Sequence, residues 1–187
     1  MRAPRVSAVL LAAGLGRRFG GEKLLHPVEG RALYLRAFEA VPAALFHQAA
    51  VVSGREEILT AARGGGYLPV SNPRPQEGQS LSVKLGLQAV WAEADGVLFA
   101  VCDQPWLRRE SVEGLVTAWR GEPDRIFALS AQGRRGNPVI FPARFFLELA
   151  GLTGDVGGGT VLRRHPEALR LAEAGSPREL EDMDTPQ

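Results

Sequence analysis

The chain has 187 residues, 45% hydrophobic and 23% charged, with a formal net charge of +1 at pH 7. That balance suits one globular domain with a sizeable core and excludes a global electrostatic pull toward nucleic acid or a membrane surface. The single cysteine excludes an internal disulfide and fits a reducing compartment, and no apolar run reaches the roughly 18 residues that span a bilayer. Val6 to Ala13 is too short for the core of a secretion signal and runs straight into glycines, so a cytoplasmic protein is expected.

Val6 to Ala12 reads as the first strand, apolar throughout and therefore central. It breaks into a loop with four glycines between Gly14 and Gly21, carrying Arg17 and Arg18, with Lys23 just beyond. Leu24 to Val28 leads into a turn at Glu29-Gly30-Arg31. A helix is predicted from about Ala32, with Tyr34, Phe38 and Val41 at helical spacing. Ala49 to Val52 is the second strand. Arg55 to Arg63 is the second helix, closed by Gly64-Gly65-Gly66. Tyr67 to Val70 is a short strand, and Asn72 to Gln79 a loop with two prolines. Ser80 is expected to cap a helix that shows Leu81, Leu85 and Ala89 on one face and ends near Trp91. Gly96 to Cys102 is another apolar strand, followed at once by Asp103-Gln104-Pro105. A helix from about Glu110 carries Val112, Leu115, Val116 and Trp119 on one face. Ile126 to Ser130 and Pro138 to Phe141 read as strands around Gln132-Gly133. Phe145 to Leu149 and Thr160 to Arg164 are short helices, and Leu169 to Leu171 is a last strand.

Strands alternate with helices, so the expected class is α/β with a mostly parallel sheet, in one domain over residues 1–187. Ligands in such sheets sit beyond the carboxyl ends of the strands. Segments 13–23 and 103–105 both occupy such ends.

The glycine loop suits a polyphosphate: backbone N–H groups can crowd around it, and the basic side chains add charge. It is not a Walker A loop, because Lys23 is followed by Leu24. It overlaps a dinucleotide fingerprint only in part: Gly14 and Gly16 fit, but the third glycine is out of place, and the second strand ends in Ser53-Gly54 rather than in an acid for the ribose. Asp103 follows a buried strand, where a carboxylate needs a partner or a metal. Magnesium takes one or two carboxylates and completes its shell with substrate phosphates and water. Cys102 reads as a small buried strand residue. His26, His47 and His165 share no metal-ligand spacing.

The run Leu11-Ala12-Ala13-Gly14-Leu15-Gly16-Arg17-Arg18-Phe19-Gly20-Gly21-Glu22-Lys23 resembles the signature of the MobA-like NTP transferases, and within them the molybdenum cofactor cytidylyltransferases most. Four further segments resemble motifs of that family: Gly78-Gln79-Ser80-Leu81-Ser82, Cys102-Asp103-Gln104-Pro105, Arg135-Gly136-Asn137-Pro138 and Asp182-Met183-Asp184-Thr185-Pro186. A fifth, Gly154-Asp155-Val156-Gly157-Gly158-Gly159, carries glycines where the family has Ala-Arg, and Asn137 stands in place of a histidine. The resemblance implies a three-layer sheet of the Rossmann-like nucleotide-diphospho-sugar transferase topology. It implies transfer of CMP from CTP to a phosphorylated pterin-type acceptor with loss of pyrophosphate, and hand-over of the product to a molybdoenzyme or its chaperone. Lys23, Arg18 and Asp103 would be catalytic. Leu11, Ala12, Ala13, Gly14, Gly16, Arg17, Lys23, Gly78, Gln79, Ser80 and Ser82 would bind the nucleotide. Asp103 and Asp184 would hold Mg²⁺, with Asp182 as the substitute for Asp184. Arg135, Asn137 and Asp155 would face the acceptor. GTP in place of CTP, a different phosphorylated acceptor, a dinucleotide-dependent oxidoreductase and a non-catalytic nucleotide sensor stand as alternatives.

Overall fold

The computed structural model describes residues 2–14 and 22–184. In chain order the elements are β1 (Val6–Leu11), β2 (Pro27–Val28), β3 (Arg31–Ala32), α1 (Leu33–Ala40), β4 (Ala49–Ser53), α2 (Glu56–Gly64), β5 (Leu68–Ser71) and α3 (Gln79–Val90). They continue with β6 (Gly96–Val101), α4 (Arg109–Gly121), β7 (Ile126–Ala131), β8 (Arg134–Pro142), α5 (Phe146–Ala150), α6 (Gly159–Arg164) and β9 (Leu169–Glu173). Among the described residues, seven strands form one sheet in the order β5-β4-β1-β6-β8-β7-β9. Strands β5, β4, β1 and β6 run parallel, β8 is antiparallel to both its neighbours, and β9 is parallel to β7.

The three layers follow from the alternation of side chains along the inner strands. Val6, Ala8 and Leu10 of β1 pack with Ala49 and Val51 of β4, Leu98 and Ala100 of β6, Ile58 of α2 and Trp119 of α4. Val9, Ala50, Val52, Val97 and Phe99 point the other way and pack with Val83, Leu87 and Val90 of α3, Phe146 and Leu149 of α5 and Leu162 of α6. A strand covered on both faces has no solvent side, which is why these runs lack polar alternation. No helix among the described residues is long and apolar enough to cross a membrane.

One expectation, the cap of α3, is corrected, and two are refined. Leu81, Leu85 and Ala89 of α3 share a half-buried face, but Val83, Leu87 and Val90 are buried more deeply. The cause is Gly86, where a Cβ would lie 2.3 Å from Val9 Cγ1 and 2.9 Å from Val52 Cγ2. The helix backbone rests directly on the sheet there, and a glycine leaves no trace in a hydrophobic pattern. Ser80 does not cap α3. Gly78 holds that position, with φ +96°, and the Ser80 hydroxyl donates to Gly154 O at 2.6 Å. The turn at Glu29-Gly30 closes a hairpin of β2 and β3 with Val28 opposite Arg31, and both turn residues have positive φ (50° and 79°), which suits a two-residue hairpin loop.

The chain leaves β1 toward β4 and β5 on one side, then returns to place β6 on the other. Such a reversal opens a crevice beyond the carboxyl ends of the two strands. Leu11 pairs with Val101 at that point, so the residues after them emerge side by side.

Candidate active site

The end of β1 is fixed from both neighbours. Ala12 N–H donates to Val52 O at 2.8 Å, and Cys102 N–H donates to Leu11 O at 3.3 Å. The buried Ser53 hydroxyl donates to Ala12 O at 3.0 Å and accepts Arg55 N–H at 3.1 Å. Sequence reading gave Ser53 no role; a lone serine at a strand end carries no signal of its own. Cys102 is buried in the core, and burial, with the nearby Asp103 charge, pushes its thiol up, so it stays protonated.

Lys23 opens a 3-10 turn (Lys23–Leu25) pinned by the buried Leu24. Its side chain is 14% exposed, and the ammonium donates to Asp103 Oδ2 at 2.8 Å and lies 3.8 Å from Asp184 Oδ1. Asp184 reaches this place because Met183 is buried and its N–H donates to Asp103 O at 2.9 Å. The acidic tail is therefore docked on the loop after β6. Although much of Asp182 is exposed, the protein around its carboxyl pushes it up from the usual carboxylate range; Asp103's charge adds to this and a hydrogen bond with Gln104 opposes it. Among the described residues, no three His, Cys, Asp or Glu side chains converge in a way that would hold a metal by themselves.

The opposite wall is the start of α3. A Cβ on Gly78 would lie 2.6 Å from Asp155 Cα and from Gly154 O, so glycine is required there by packing as well as by φ. Gln79 N–H donates to Asp155 Oδ1 at 3.2 Å. Asn72 Nδ2 donates to the buried Ser82 hydroxyl at 2.9 Å. Two clefts meet here. One, of about 650 Å³, is lined by Leu11, Ala13, Gly14, Lys23, Gly78, Gln79, Ser82, Asp103 and Asp184 among others. The second, of about 400 Å³, takes Arg135, Asn137 and the Gly157–Thr160 loop, over a floor that includes Phe99, Val139 and Phe141. Leu11, Gln79, Val101 and Asp155 line both.

Most of the expected site residues thus converge. Asp155 sits on the shared wall rather than in the second cleft alone. Ala12 and Ser80 line neither cleft; both are buried, and the Ser80 hydroxyl is taken by Gly154. Gly16, Arg17 and Arg18, like Thr185 and Pro186 of the C-terminal motif, lie outside the described residues. Arg163 of α6, which sequence reading gave no role, lines the second cleft and donates to Thr160 Oγ1 at 2.9 Å.

The family model of the MobA-like NTP transferase domain matches residues 8–169. The chain belongs to this family. Nicotine blue oxidoreductase from Paenarthrobacter nicotinovorans is 32% identical over 97% of this chain and 93% of its own length. The purine catabolism protein PucB of Bacillus subtilis (strain 168) is 29% identical over 100% of this chain and 95% of its own. Molybdenum cofactor guanylyltransferase of Rhodobacter capsulatus is 32% identical over 61% of this chain and 59% of its own. Among solved structures, a nucleotidyl transferase from Methanothermobacter thermautotroptrophicus superposes with a TM-score of 0.79, at 24% identity, over 97% of this chain and 92% of that one, a likeness of fold. The MobA-like family is one of nucleotidyltransferases, and the sheet topology is that of its structural neighbours.

Proposed function

We propose that the protein transfers CMP from CTP to a phosphorylated pterin-type acceptor of the molybdenum cofactor kind and releases pyrophosphate. The observation that carries this is the Lys23–Asp103 ion pair, set between the carboxyl ends of β1 and β6 where two clefts share a wall. The likeness to a molybdenum cofactor guanylyltransferase supports the acceptor class. The larger cleft would take the nucleotide, and the smaller one, apolar below and basic at Arg135 and Arg163, a flat heterocycle bearing a phosphate.

In this reading the acceptor phosphate attacks the α-phosphorus in line. Nucleotidyl transfer of this kind needs positioning and charge neutralisation more than a protein nucleophile. Lys23 would hold the triphosphate, with Arg18 beside it, and Gly14 would let the loop backbone approach the phosphates. Gln79 and Asp155, bonded to each other, would separate the two substrates while leaving their reacting groups in contact. Asp103 and Asp184 offer hard oxygen donors and already hold a cation, the Lys23 ammonium, between them, so the donor set fits magnesium. Bound there, magnesium would supply neutralisation of the phosphate charge. After transfer, the dinucleotide product would pass to a molybdoenzyme or its chaperone.

The test is pyrophosphate release with CTP, GTP, ATP and UTP, in the presence of Mg²⁺ and molybdenum cofactor, for wild type and Asp103→Asn. Release with CTP that Asp103→Asn abolishes is the expected result. Release with GTP alone would move the protein to guanylyl transfer. No release and no nucleotide binding would end the transferase reading.

A second reading rests on the whole-length likeness to a nicotine blue oxidoreductase. There the glycine loop would hold a nicotinamide dinucleotide. Saturable NADPH fluorescence enhancement, displaced by NADP⁺ and not by CTP, would favour it.

A further inference from the structure

Trp106 lines neither cleft, yet three segments of the charge cluster are tied to it. It stands three residues beyond Asp103 on the same loop, half-buried against the core. The Arg178 guanidinium lies 3.6 Å from the centre of its ring and that of Arg36 lies 5.5 Å away. Arg36, from α1, donates to Val28 O at 3.0 Å, pairs with Glu29 and reaches Pro105 O at 3.5 Å. It thereby joins the β2–β3 hairpin, which directly follows the Lys23 turn, to the Asp103 loop. Arg178 belongs to the 3-10 turn Pro177–Leu180, which leads into Asp182 and Asp184. That turn has further ties to the same loop. The buried Glu179 carboxylate accepts Arg108 N–H at 3.1 Å, and Gln104 Nε2 donates to Leu180 O at 3.4 Å.

We infer that Trp106 is a positioning residue: its indole, held against Arg178 and Arg36, sets the separation of Lys23, Asp103 and Asp184 without touching substrate. The inference rests on the proposed metal role of Asp103 and Asp184 for its consequence, but not for its geometry. The face of an aromatic ring attracts a guanidinium most where water is excluded, and the half-buried setting of Trp106 provides that. Without the ring, Arg178 loses its seat and the C-terminal carboxylates lose one of the ties that bring them to Lys23. Groups hydrogen-bonded directly to metal ligands contribute about 10- to 100-fold to metal affinity, and a support one contact further out should contribute at the lower end, about tenfold.

The experiment compares Trp106→Leu, Trp106→Phe and Arg178→Met with wild type, and with Val90→Ala, a buried position on the opposite face of the sheet. Amide exchange of the Met183 segment is measured first. The Trp106→Leu and Arg178→Met proteins should exchange there faster by about tenfold or more while β1 and β6 stay protected. Trp106→Phe, which keeps a ring face, should retain most of the protection, and Val90→Ala all of it. Mn²⁺ binding in the presence of CTP, read by the spin-resonance signal of the free ion, should weaken by about tenfold in Trp106→Leu and be rescued by Trp106→Phe. Unchanged protection of Met183 in Trp106→Leu would overturn the inference. So would lost protection with unaltered Mn²⁺ affinity, or an equal effect from Val90→Ala. If wild type binds no metal with any nucleotide, the metal reading fails by itself, and the exchange experiment alone decides whether Trp106 holds the segment.

Discussion

Replacing Lys23 by methionine should move metal and nucleotide affinity in opposite directions. In the free protein the Lys23 ammonium lies 2.8 Å from Asp103 Oδ2 and 3.8 Å from Asp184 Oδ1, so it neutralises both proposed metal ligands. A divalent ion bound to Asp103 Oδ2 at about 2.1 Å would lie roughly 4 Å from the ammonium. Two unit charges at that distance repel by about 1 kcal/mol at the dielectric constant of water, and a divalent ion doubles this to about 2 kcal/mol. That is roughly 30-fold in a dissociation constant, and a lower effective dielectric makes it larger. Lys23→Met keeps the length of the stem and removes the charge. Mn²⁺ should therefore bind the nucleotide-free variant about 30-fold more tightly than wild type. CTP should bind the same variant more weakly, because a charge-assisted hydrogen bond contributes about 1.5–3 kcal/mol, or roughly 10- to 150-fold. Free Mn²⁺ is titrated by its spin-resonance signal without nucleotide, and CTP by calorimetry with Mg²⁺. Equal Mn²⁺ affinity in both proteins would refute the idea that Lys23 is the resident counter-ion. It would place any metal away from Asp103 and Asp184.

Gly86→Ala should lower stability by about 1–3 kcal/mol through overpacking against Val9 and Val52. A thermal melt should show a fall of about 2–4 °C per kcal/mol, and an unchanged melting temperature would mean that α3 can lift off the sheet at no cost. Arg163→Ala should raise the KM for the acceptor by about tenfold, the loss of one charged hydrogen bond, with the KM for CTP unchanged. Equal rises in both constants would place Arg163 outside acceptor binding. Glu148→Gln tests a pH effect. Burial pushes the Glu148 carboxyl up, but hydrogen bonds from Arg164 at 3.0 Å and His165 at 2.8 Å more than offset it, so it lies below the usual glutamate range. The stability that this pairing contributes is present above the unfolded glutamate pKa of about 4.3 and is lost as pH falls through the lower folded value. Chemical denaturation should show the variant weaker than wild type by about 0.5–1 kcal/mol at pH 7 and equal to it near pH 3; a difference that persists at low pH would contradict the assignment.

The strands of the sheet were legible because burial on both faces leaves runs such as Val97-Leu98-Phe99-Ala100-Val101 with no polar residue. Most bounds shifted by a residue or so, as at Ser53 and Pro142, but β8 begins at Arg134, four residues before the expected Pro138, and β9 runs two residues past Leu171 to Glu173. What stayed hidden depended on partners distant in the chain. Gly78 and Gly86 are glycines for opposite reasons: the first carries a positive φ beneath Asp155, and the second lies flat on Val9. Neither reason exists until the 154–155 loop and β1 are in place. Asp184 was legible only through the family resemblance: an acidic tail by itself reads as solvated, and the Met183 bond to Asp103 O is one of the ties that bring it to Lys23. Arg163 was invisible because helical spacing places it on a surface, without saying that the surface is a cleft wall.

The full-length likeness to a nicotine blue oxidoreductase raises the question of what the shared scaffold is suited to hold, since one fold can host unrelated chemistry. Dinucleotide sites of the Rossmann type grip the ribose with an acid at the end of the second strand. In this chain β4 ends in Ser53, whose buried hydroxyl is spent on Ala12 O and Arg55 N–H. Glu22, the nearby acid, is ion-paired with Arg55. The end of β4 therefore presents a serine whose hydroxyl is already taken, where such sites place a carboxylate. Hydride transfer also gives no reason to hold two carboxylates on one ammonium beside a glycine loop, whereas a triphosphate gives one. It brings its own negative charge, can draw Lys23 away from Asp103 and Asp184, and leaves both carboxylates ready for a cation that arrives with it. If the proposed function holds, the charge cluster would change partners when nucleotide binds, and the two clefts that meet at Leu11, Gln79, Val101 and Asp155 would set where the transferred group crosses.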